Sequence, residues 1–149
     1  MASYLSSIGF STDVYESRSD MRTNSTSTGR SINLALSARG IKALKDIGVY
    51  EKIRSTLIPM SGRMIHDKNG NVQFQPYGQK KNEVIYSVSR SNLNKTLIDY
   101  AESTNSVKIN FNHELQGIDL KKLKLRFRDK NIPFNRILGS DGASSKVRD

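Results

Sequence analysis

The sequence contains no cysteine and no tryptophan, and what it lacks limits the chemistry open to it. Without cysteine the chain cannot form disulfides, thiolate metal sites or a cysteine nucleophile, which fits a reducing compartment. No stretch approaches the roughly 20 apolar residues of a membrane span. Met1 is followed by neither a basic segment nor an apolar one, so no signal peptide is visible.

The 149 residues are enough for one average domain or for part of a larger one. Hydrophobic residues make up 36%, so a packed core is possible, although the mean hydropathy of −0.56 is low. Lys and Arg total 24 against 14 Asp and Glu, which gives a net charge of +10. That charge fits a nucleic acid, an anionic cofactor, an acidic substrate or simply a basic surface.

Apolar spacing and turn residues predict helices and strands in the first part of the chain. The predicted elements are a helix over 2–8 ending at Gly9, a strand over 10–16, a polar loop over 17–28, a helix over 32–47 capped by Gly48, and a short helix over 49–56. Within the helix over 32–47, Gly40 marks a kink or a close approach.

The rest of the chain is predicted to be rich in strands, and the mixture favours an α/β or α+β nucleotide-binding fold. The predicted elements are a hairpin of 61–66 and 72–75 around Asn69-Gly70, a strand over 84–88, a helix over 91–102 with Ser91 as N-cap, a strand over 107–111, an alternating strand over 122–128 and a strand over 132–138.

An acidic residue ends the first predicted strand, in the segment Tyr15-Glu16-Ser17-Arg18. A carboxylate at this position accepts hydrogen bonds from a ribose in dinucleotide-binding units. An exposed glutamate that merely ends a strand is the more common case, and the segment alone leaves both interpretations open.

In the segment 29–40, which contains Arg30 and Arg39, a polar loop leads into the predicted helix over 32–47. The N-terminus of a helix attracts anions, so both arginines are candidates for phosphate contacts. The alternative is that Arg30 closes a loop and Arg39 is solvated.

A run of small residues follows the last predicted strand, over 138–148, and contains Asp141 and Gly142. Such a turn lets the backbone approach a ligand closely. An ordinary Asp-Gly β-turn is the simpler interpretation.

Several segments, in order along nearly the whole chain, resemble the kynurenine 3-monooxygenases, which are class A FAD-dependent aromatic hydroxylases. The similar segments are 30–40 (RSINLALSARG), 62–66 (GRMIH), 76–78 (PYG), 87–95 (SVSRSNLNK), 111–113 (FNH) and the Asp-Gly motif at 141–142. The Asp-Gly motif is typical of the superfamily, whereas the segments 30–40 and 87–95 point to the particular family.

This resemblance implies an α/β fold, with a partial Rossmann-like FAD-binding domain interrupted by a β-rich substrate segment. The FAD-binding parts would be 1–60 and 87–149, and the substrate segment 61–86. The implied reaction is the hydroxylation of L-kynurenine with NADPH and oxygen, a step of tryptophan degradation and NAD biosynthesis. The flavin carries the chemistry, so no catalytic side chain and no metal is expected. The implied location is the cytoplasm, or the mitochondrial outer membrane where a full-length form carries a membrane tail.

The resemblance also implies roles for individual residues. The positions that match FAD contacts are Tyr15, Glu16, Ser17, Arg18, Ala35, Arg90, Leu115, Asp141 and Gly142. Arg63 and Tyr77 match the substrate-binding pair, since a guanidinium suits the substrate carboxylate and a tyrosine suits its ring. His66 and His113 lie near matching segments and are given no role.

The sequence departs from this family in one respect, because it contains no G-x-G-x-x-G turn. That turn seats the pyrophosphate on a helix N-terminus. The similarity begins in the later part of the family's first helix and stops before its second flavin motif. We therefore expect the isolated chain to bind FAD weakly or not at all, which a bound-flavin spectrum would test.

Three other functions remain open from the sequence. The chain could derive from a related FAD hydroxylase with another aromatic substrate, or be a non-catalytic remnant that associates with a partner. It could also be a basic nucleic-acid or anion-binding module that uses residues 121–130. Those charges alternate with Leu123, Leu125 and Phe127, however, as on the solvent face of an amphipathic strand, so no nucleic-acid partner is expected.

Overall fold

The computed structural model describes residues 1–23, 32–80 and 82–148. These form two compact units, a first unit of Met1–Thr12 and Thr26–Val107 and a second unit of Asp13–Ser25 and Lys108–Asp149. Arg30, a candidate phosphate ligand, lies outside the described residues. None of the helices in the described ranges is long and apolar enough to cross a membrane.

Helices and strands are mixed along the chain, so the fold is α/β in the broad sense. In order they are α1 (Ala2–Ser7), β1 (Thr12–Tyr15), β2 (Asn33–Leu36), α2 (Ala38–Asp46), α3 (Tyr50–Ile53), a 3-10 turn (Arg54–Thr56), β3 (Ile58–Met60), β4 (Gly62–His66), β5 (Val72–Pro76), β6 (Ile85–Ser89), α4 (Arg90–Glu102), β7 (Val107–Asn110), β8 (Gly117–Asp119), β9 (Lys124–Arg126) and β10 (Asn131–Pro133).

The core of the first unit lies between its helices and a three-stranded antiparallel sheet of order β2-β6-β3. Its buried residues are Leu44, Val49, Ile53, Val88 and Leu93. Helix α2 ends in a Schellman motif, because Gly48 N donates to Lys45 O (3.0 Å) and Val49 N donates to Leu44 O (2.9 Å). Gly48 has a φ of 76°, so the predicted glycine cap is confirmed, and it turns Val49 into the core.

The predicted helix over 32–47 is wrong in its first part, which is strand β2. Leu34 pairs with Val88 and Leu36 with Tyr86 of β6. The apolar residues Ile32, Leu34 and Leu36 also alternate, so the segment satisfied both periods. Pairing with β6 decides between them, and the helix begins only after Ser37, whose backbone is extended. A Cβ on Gly40 would lie 2.5 Å from Leu36 Cδ1, so this glycine marks a close approach.

Helix α4 is capped two residues earlier than predicted. Ser89 has extended backbone angles, and its Oγ accepts from Asn92 N at 3.4 Å. Ser91, the predicted N-cap, lies inside the helix. Ser89 and Ser91 both precede the first apolar residue of the helix, Leu93. Because strand β6 ends at Ser89, the helix begins directly after it, and Ser89 is the N-cap.

The predicted hairpin is confirmed as β4 and β5, which pair from Gly62↔Pro76 to His66↔Val72. Gly70 N donates to Asp67 O (3.2 Å), and Asp67 N donates to Asn71 O (3.0 Å). Gly70 has a φ of 83°, whereas Asn69 is not among the residues with positive φ. This is the pattern of a type I turn followed by a left-handed glycine, rather than a two-residue type I′ turn.

The second unit contains the pairing of β1 with β7 and a three-stranded sheet of order β8-β9-β10. The alternating strand is shorter than predicted, because Leu123 has a φ of 50° and is 49% exposed. Leu125 and Phe127 are buried, while Lys124 and Arg126 are exposed. The last predicted strand is also too long: β10 ends at Pro133, and Phe134 N turns back to Leu123 O (3.0 Å).

Candidate functional site

The end of strand β1 presents an ordered carboxylate in the second unit. Glu16 Oε1 accepts from Arg18 N and from Arg18 Nε, both at 2.9 Å, and from Ser17 Oγ at 3.3 Å. Glu16 Oε2 accepts from Arg18 Nη2 at 3.2 Å. These contacts join residues two positions apart, so the chain direction after the strand brings the guanidinium onto the carboxylate.

The same contacts fix the charge of this pair. The hydrogen bond from the Arg18 side chain is the main cause that lowers the pKa of Glu16, and burial opposes it. The hydrogen bond to Glu16 raises the pKa of Arg18 in turn. Glu16 is therefore an anion at neutral pH, and its side chain is 32% exposed, so solvent or a ligand reaches it.

The hydrogen bonds that the Glu16 carboxylate already accepts determine how many of its lone-pair sites remain open to a nucleotide. A carboxylate oxygen has about two lone-pair sites, and Oε2 accepts only one hydrogen bond within the described part of the chain. A ribose hydroxyl could donate to the remaining site, so the residue fits that role. No glycine loop for a pyrophosphate accompanies it, because the sequence has no G-x-G-x-x-G.

An aromatic cluster supports the strand end next to Glu16. The ring centroids of Tyr15 and Phe127 lie 4.9 Å apart, and His113 lies 5.9 Å from Tyr15 and 5.7 Å from Phe127. His113 N also donates to Glu16 O at 2.9 Å. Burial, followed by the charge of Asp13, raises the pKa of the Tyr15 hydroxyl. Glu16 N also donates to Asn110 O at 3.0 Å, so both the N–H and the carbonyl of Glu16 are held.

Sequence reasoning gave no role to His113, and no local signal would have found one. The cluster joins segments about a hundred residues apart, and only the fold brings them together. His113 Nδ1 lies 2.7 Å from Phe111 O. A carbonyl oxygen only accepts, so Nδ1 carries the proton in this bond.

A shallow cleft of about 200 Å³ opens beside the cluster. It is lined by Ser17, Asn112, His113, Glu114, Gln116, Phe127, Arg128 and Asp129. Leu115, a predicted cofactor contact, is half-buried between two of these residues. Of the predicted FAD contacts, only Ser17 is among the residues that line this cleft.

The Asp-Gly motif forms a closed loop, also in the second unit. Asp141 Oδ1 accepts from Ser145 Oγ (2.7 Å), and Asp141 Oδ2 accepts from Lys146 N (2.6 Å) and Val147 N (3.3 Å). The bond from Ser145 is the main cause that lowers the pKa of Asp141. Gly142 has a φ of 81°, which explains the glycine. Asp141 thus organises the loop, and no atom lies within 4 Å of the position that a Cβ on Gly142 would take.

The predicted substrate pair lies at one end of the β4–β5 hairpin in the first unit. Arg63 pairs with Gln75 in the sheet, and Arg63 Nε donates to Gln75 Oε1 at 2.7 Å. Tyr77 follows β5 directly, and its backbone N donates to Ser61 O at 3.0 Å. Both side chains are exposed. The register of the hairpin therefore places a guanidinium and a phenol ring at the same end.

The hairpin also depends on a glycine beside Arg63. A Cβ on Gly62 would lie 2.4 Å from both Gln75 O and Phe74 Cζ. The Phe74 ring therefore covers Gly62, and β5 approaches β4 at the point where Gln75 holds Arg63.

Ala35 and Arg90 lie on the sheet of the first unit. Ala35 pairs with Ser87 of β6. Arg90 begins α4 directly after that strand, and Arg90 N donates to Ile32 O at 3.2 Å. Both residues are exposed, so the end of β2 and the start of α4 present them to solvent.

Comparison with known proteins gives strong similarity over almost the whole chain. The chain is 42% identical over 151 residues to a kynurenine 3-monooxygenase of Legionella pneumophila (strain Corby), which covers 98% of this chain and 34% of the relative. It is 45% identical over 152 residues to a kynurenine 3-monooxygenase of Sus scrofa, and the match covers 99% of this chain and 32% of that relative. The chain thus spans about a third of the length of the curated relatives it matches.

Solved structures with the same fold are more distant in sequence. A 2-methyl-3-hydroxypyridine-5-carboxylic acid oxygenase has a TM-score of 0.78 at 20% identity, covering 97% of this chain and 36% of that one. The flavin-dependent monooxygenase PieE, in complex with FAD and substrate, has a TM-score of 0.79 at 16% identity. The match covers 98% of this chain and 28% of the PieE chain. No family model matches the chain.

Proposed function

We propose that this chain is a segment of an FAD- and NADPH-dependent monooxygenase that hydroxylates L-kynurenine to 3-hydroxykynurenine. The observation that carries the proposal is the ionised Glu16 carboxylate, which ends β1 with an acceptor site still open on Oε2. It occurs in a chain that is similar over 98% of its length to relatives named for this activity.

The finer architecture belongs to the same proposal. Residues 1–60 and 87–149 would form part of a Rossmann-like FAD-binding domain, and residues 61–86 would be a substrate segment inserted into it. In support, β4 and β5, which lie within 61–86, pair only with each other among the described strands.

On the cofactor side, Glu16 binds the adenosine ribose of FAD, and Arg18 keeps the carboxylate ionised and oriented. Tyr15, Ser17 and Leu115 line or support the same region. The Asp141-Gly142 loop offers backbone that a ligand can approach closely, because Gly142 has no side chain. Ala35 and Arg90 are further FAD contacts in this proposal. The flavin, when bound, supplies the oxidation chemistry.

On the substrate side, Arg63 and Tyr77 bind L-kynurenine. The Arg63 Nη atoms have no hydrogen-bond partner within residues 1–23, 32–80 and 82–148, since only Nε donates, to Gln75. A planar guanidinium whose two Nη groups keep all four N–H donors suits the bidentate geometry of a carboxylate. Tyr77 offers an aromatic face and a hydroxyl to the substrate ring.

A chimera tests this proposal directly. The chain replaces the matching third of the Legionella pneumophila relative, and we measure bound flavin, kynurenine-dependent NADPH oxidation and the hydroxylated product. We expect all three. In this chimera Arg63→Met should raise the KM for L-kynurenine roughly tenfold or more, because a hydrogen bond to a charged group contributes about 1.5–3 kcal/mol.

The matched control is Arg54→Met, since Arg54 is exposed and its contact with Glu51 is long (3.6 Å). It should leave both flavin content and KM unchanged. A chimera that binds flavin but oxidises NADPH only with other aromatic acids would favour the related hydroxylase. A folded chimera without flavin would contradict the cofactor roles.

A further inference from the structure

The turn of the β4–β5 hairpin contains a reactive dipeptide, Asn69-Gly70. Asn69 is the only asparagine in the sequence that precedes a glycine. In any protein chain, the backbone nitrogen that follows an asparagine can attack the asparagine side-chain carbonyl. Glycine offers the least steric resistance to this attack, because it has no Cβ. The sequence therefore concentrates this reactivity at one position.

The fold leaves this dipeptide open. Asn69 and Gly70 are exposed, and no atom lies within 4 Å of the position that a Cβ on Gly70 would take. The Asn69 side chain has no hydrogen bond in the part of the chain that the structure describes. Its amide group is thus free to rotate towards the Gly70 nitrogen.

The hydrogen bonds of the turn hold its two ends more tightly than its reactive amide. Asp67 Oδ1 accepts from Asn69 N and from Asn71 N, both at 2.8 Å. The Gly70 N–H has a longer bond, 3.2 Å to Asp67 O, near the upper limit for such contacts. The nitrogen that must react therefore has a longer bond than the two amides that donate to Asp67 Oδ1.

We propose that Asn69 is a site of spontaneous deamidation and isoaspartate formation in the folded protein. Gly70 N loses its proton and attacks Asn69 Cγ. A C–N bond forms in a five-membered succinimide, while the bond to the side-chain nitrogen breaks and ammonia leaves with the proton. Water then opens the ring at either carbonyl and leaves aspartate or isoaspartate, with no change of oxidation state.

The product changes the turn in two ways. Either product adds a negative charge close to the Asp67 carboxylate, and the repulsion between the two like charges destabilises the turn. Isoaspartate also lengthens the backbone by one carbon between Asn69 and Gly70, so the bond from Gly70 N to Asp67 O no longer fits a four-residue turn. Deamidation therefore loosens the turn end of the hairpin.

Asp141-Gly142 provides an internal comparison, because an aspartate before a glycine can form the same succinimide. Its carboxylate accepts from Ser145 Oγ, Lys146 N and Val147 N, and an ionised carboxylate reacts poorly with a nucleophile. The folded chain should thus protect position 141 and leave position 69 reactive.

The experiment incubates the purified chain at neutral and mildly alkaline pH, natively and in urea. Peptide mapping locates the mass increase that marks deamidation, and an isoaspartyl methyltransferase with labelled methyl donor locates isoaspartate. We expect both signals at position 69 in the native chain, rising with pH, before any other asparagine reacts. In urea, label should also appear at position 141.

Asn69→Gln is the matched variant, because glutamine would need a larger ring, and it should abolish both signals at position 69. Asn71 is the control within the same turn, since its side chain donates to Asp67 Oδ2 (2.7 Å) and Val72 follows it. A native chain in which Asn69 stays intact while it deamidates in urea would overturn the proposal. So would equal rates at positions 69 and 71.

Discussion

The two units of the chain are stabilised by different kinds of contact. The first unit buries a cluster of aliphatic residues, and its three most buried large side chains are Ile53, Val49 and Val88. The second unit has a small aromatic cluster beside Glu16, and the polar bonds of Glu16 and Asp141 order two of its loops. The first unit should therefore respond most to lost aliphatic volume, and the second to the loss of an aromatic ring and, more weakly, of a carboxylate.

The largest expected effect is in the aliphatic cluster. Ile53 is 1% exposed, and Ile53→Ala should lower the free energy of unfolding by about 2–5 kcal/mol, because a cavity remains. Urea denaturation measures the loss, and hydrogen exchange shows whether it falls in the first unit. Ile58→Ala, at a side chain that is 62% exposed, is the control and should stay within about 0.5 kcal/mol. Equal losses in the two variants would contradict the assignment of the core.

The next effect is in the aromatic cluster of the second unit. Phe127→Leu keeps an apolar side chain but removes the ring contacts with Tyr15 and His113, which should cost roughly 1–2 kcal/mol. Hydrogen exchange should speed up around Glu16, whose carbonyl accepts from His113 N. Leu123→Ala is the control, at an exposed position of the same unit. If exchange at Glu16 is unchanged, the cluster does not hold the strand end.

A smaller effect concerns acid. Hydrogen bonding lowers the folded-state pKa of Glu16 below its ordinary 4.5, so this group stabilises the folded state above its unfolded-state pKa. That contribution is lost as the pH falls from about 4.5 through the lowered value. Because Arg18 is 83% exposed, we expect less than about 1 kcal/mol.

Chemical-shift titration of the Arg18 amide, which donates to Glu16 Oε1, measures this transition. Glu16→Gln should abolish it, whereas Glu51→Gln in the first unit should leave it in place. A transition at the ordinary glutamate value would mean that Arg18 does not hold the carboxylate in solution.

The smallest effect is on the surface of the first unit. Lys42 Nζ lies 2.7 Å from Asp46 Oδ2 one helical turn away, and both side chains are exposed. Lys42→Ala should cost only about 0.3–0.5 kcal/mol, and added salt should reduce the difference. Thermal unfolding at two salt concentrations checks this. A cost equal to that of Phe127→Leu would mean that this exposed ion pair stabilises the first unit as much as the buried ring stabilises the second.

Local signals predicted much of the fold. The glycine that ends α2 and the Asn-Gly turn act within a few residues, so Gly48 and Gly70 could be placed from the sequence. The segment 32–36 could not, because its apolar residues satisfy both helical and strand periods, and pairing with β6 decides. The choice between Ser89 and Ser91 as cap depends on where β6 ends.

The candidate site was predicted unevenly for the same reason. The place of Glu16 at the end of a strand could be predicted, because a carboxylate at a strand end is a local pattern. The contacts of Tyr15 with His113 and Phe127 depend on packing between distant segments, which no local pattern encodes. From the sequence, Phe127 could therefore be predicted only as an apolar residue of an alternating strand, and not as the ring that packs against Tyr15 beside Glu16.

The glycine at position 62 gives the hairpin a low tolerance to mutation. Every substitution there adds at least a Cβ, which would collide with Gln75 O and the Phe74 ring, so strand β5 would have to move. In a saturation library of this chain, position 62 should be depleted of all replacements while exposed neighbours such as Met64 accept many. A library that varies Arg63 should therefore keep glycine at position 62.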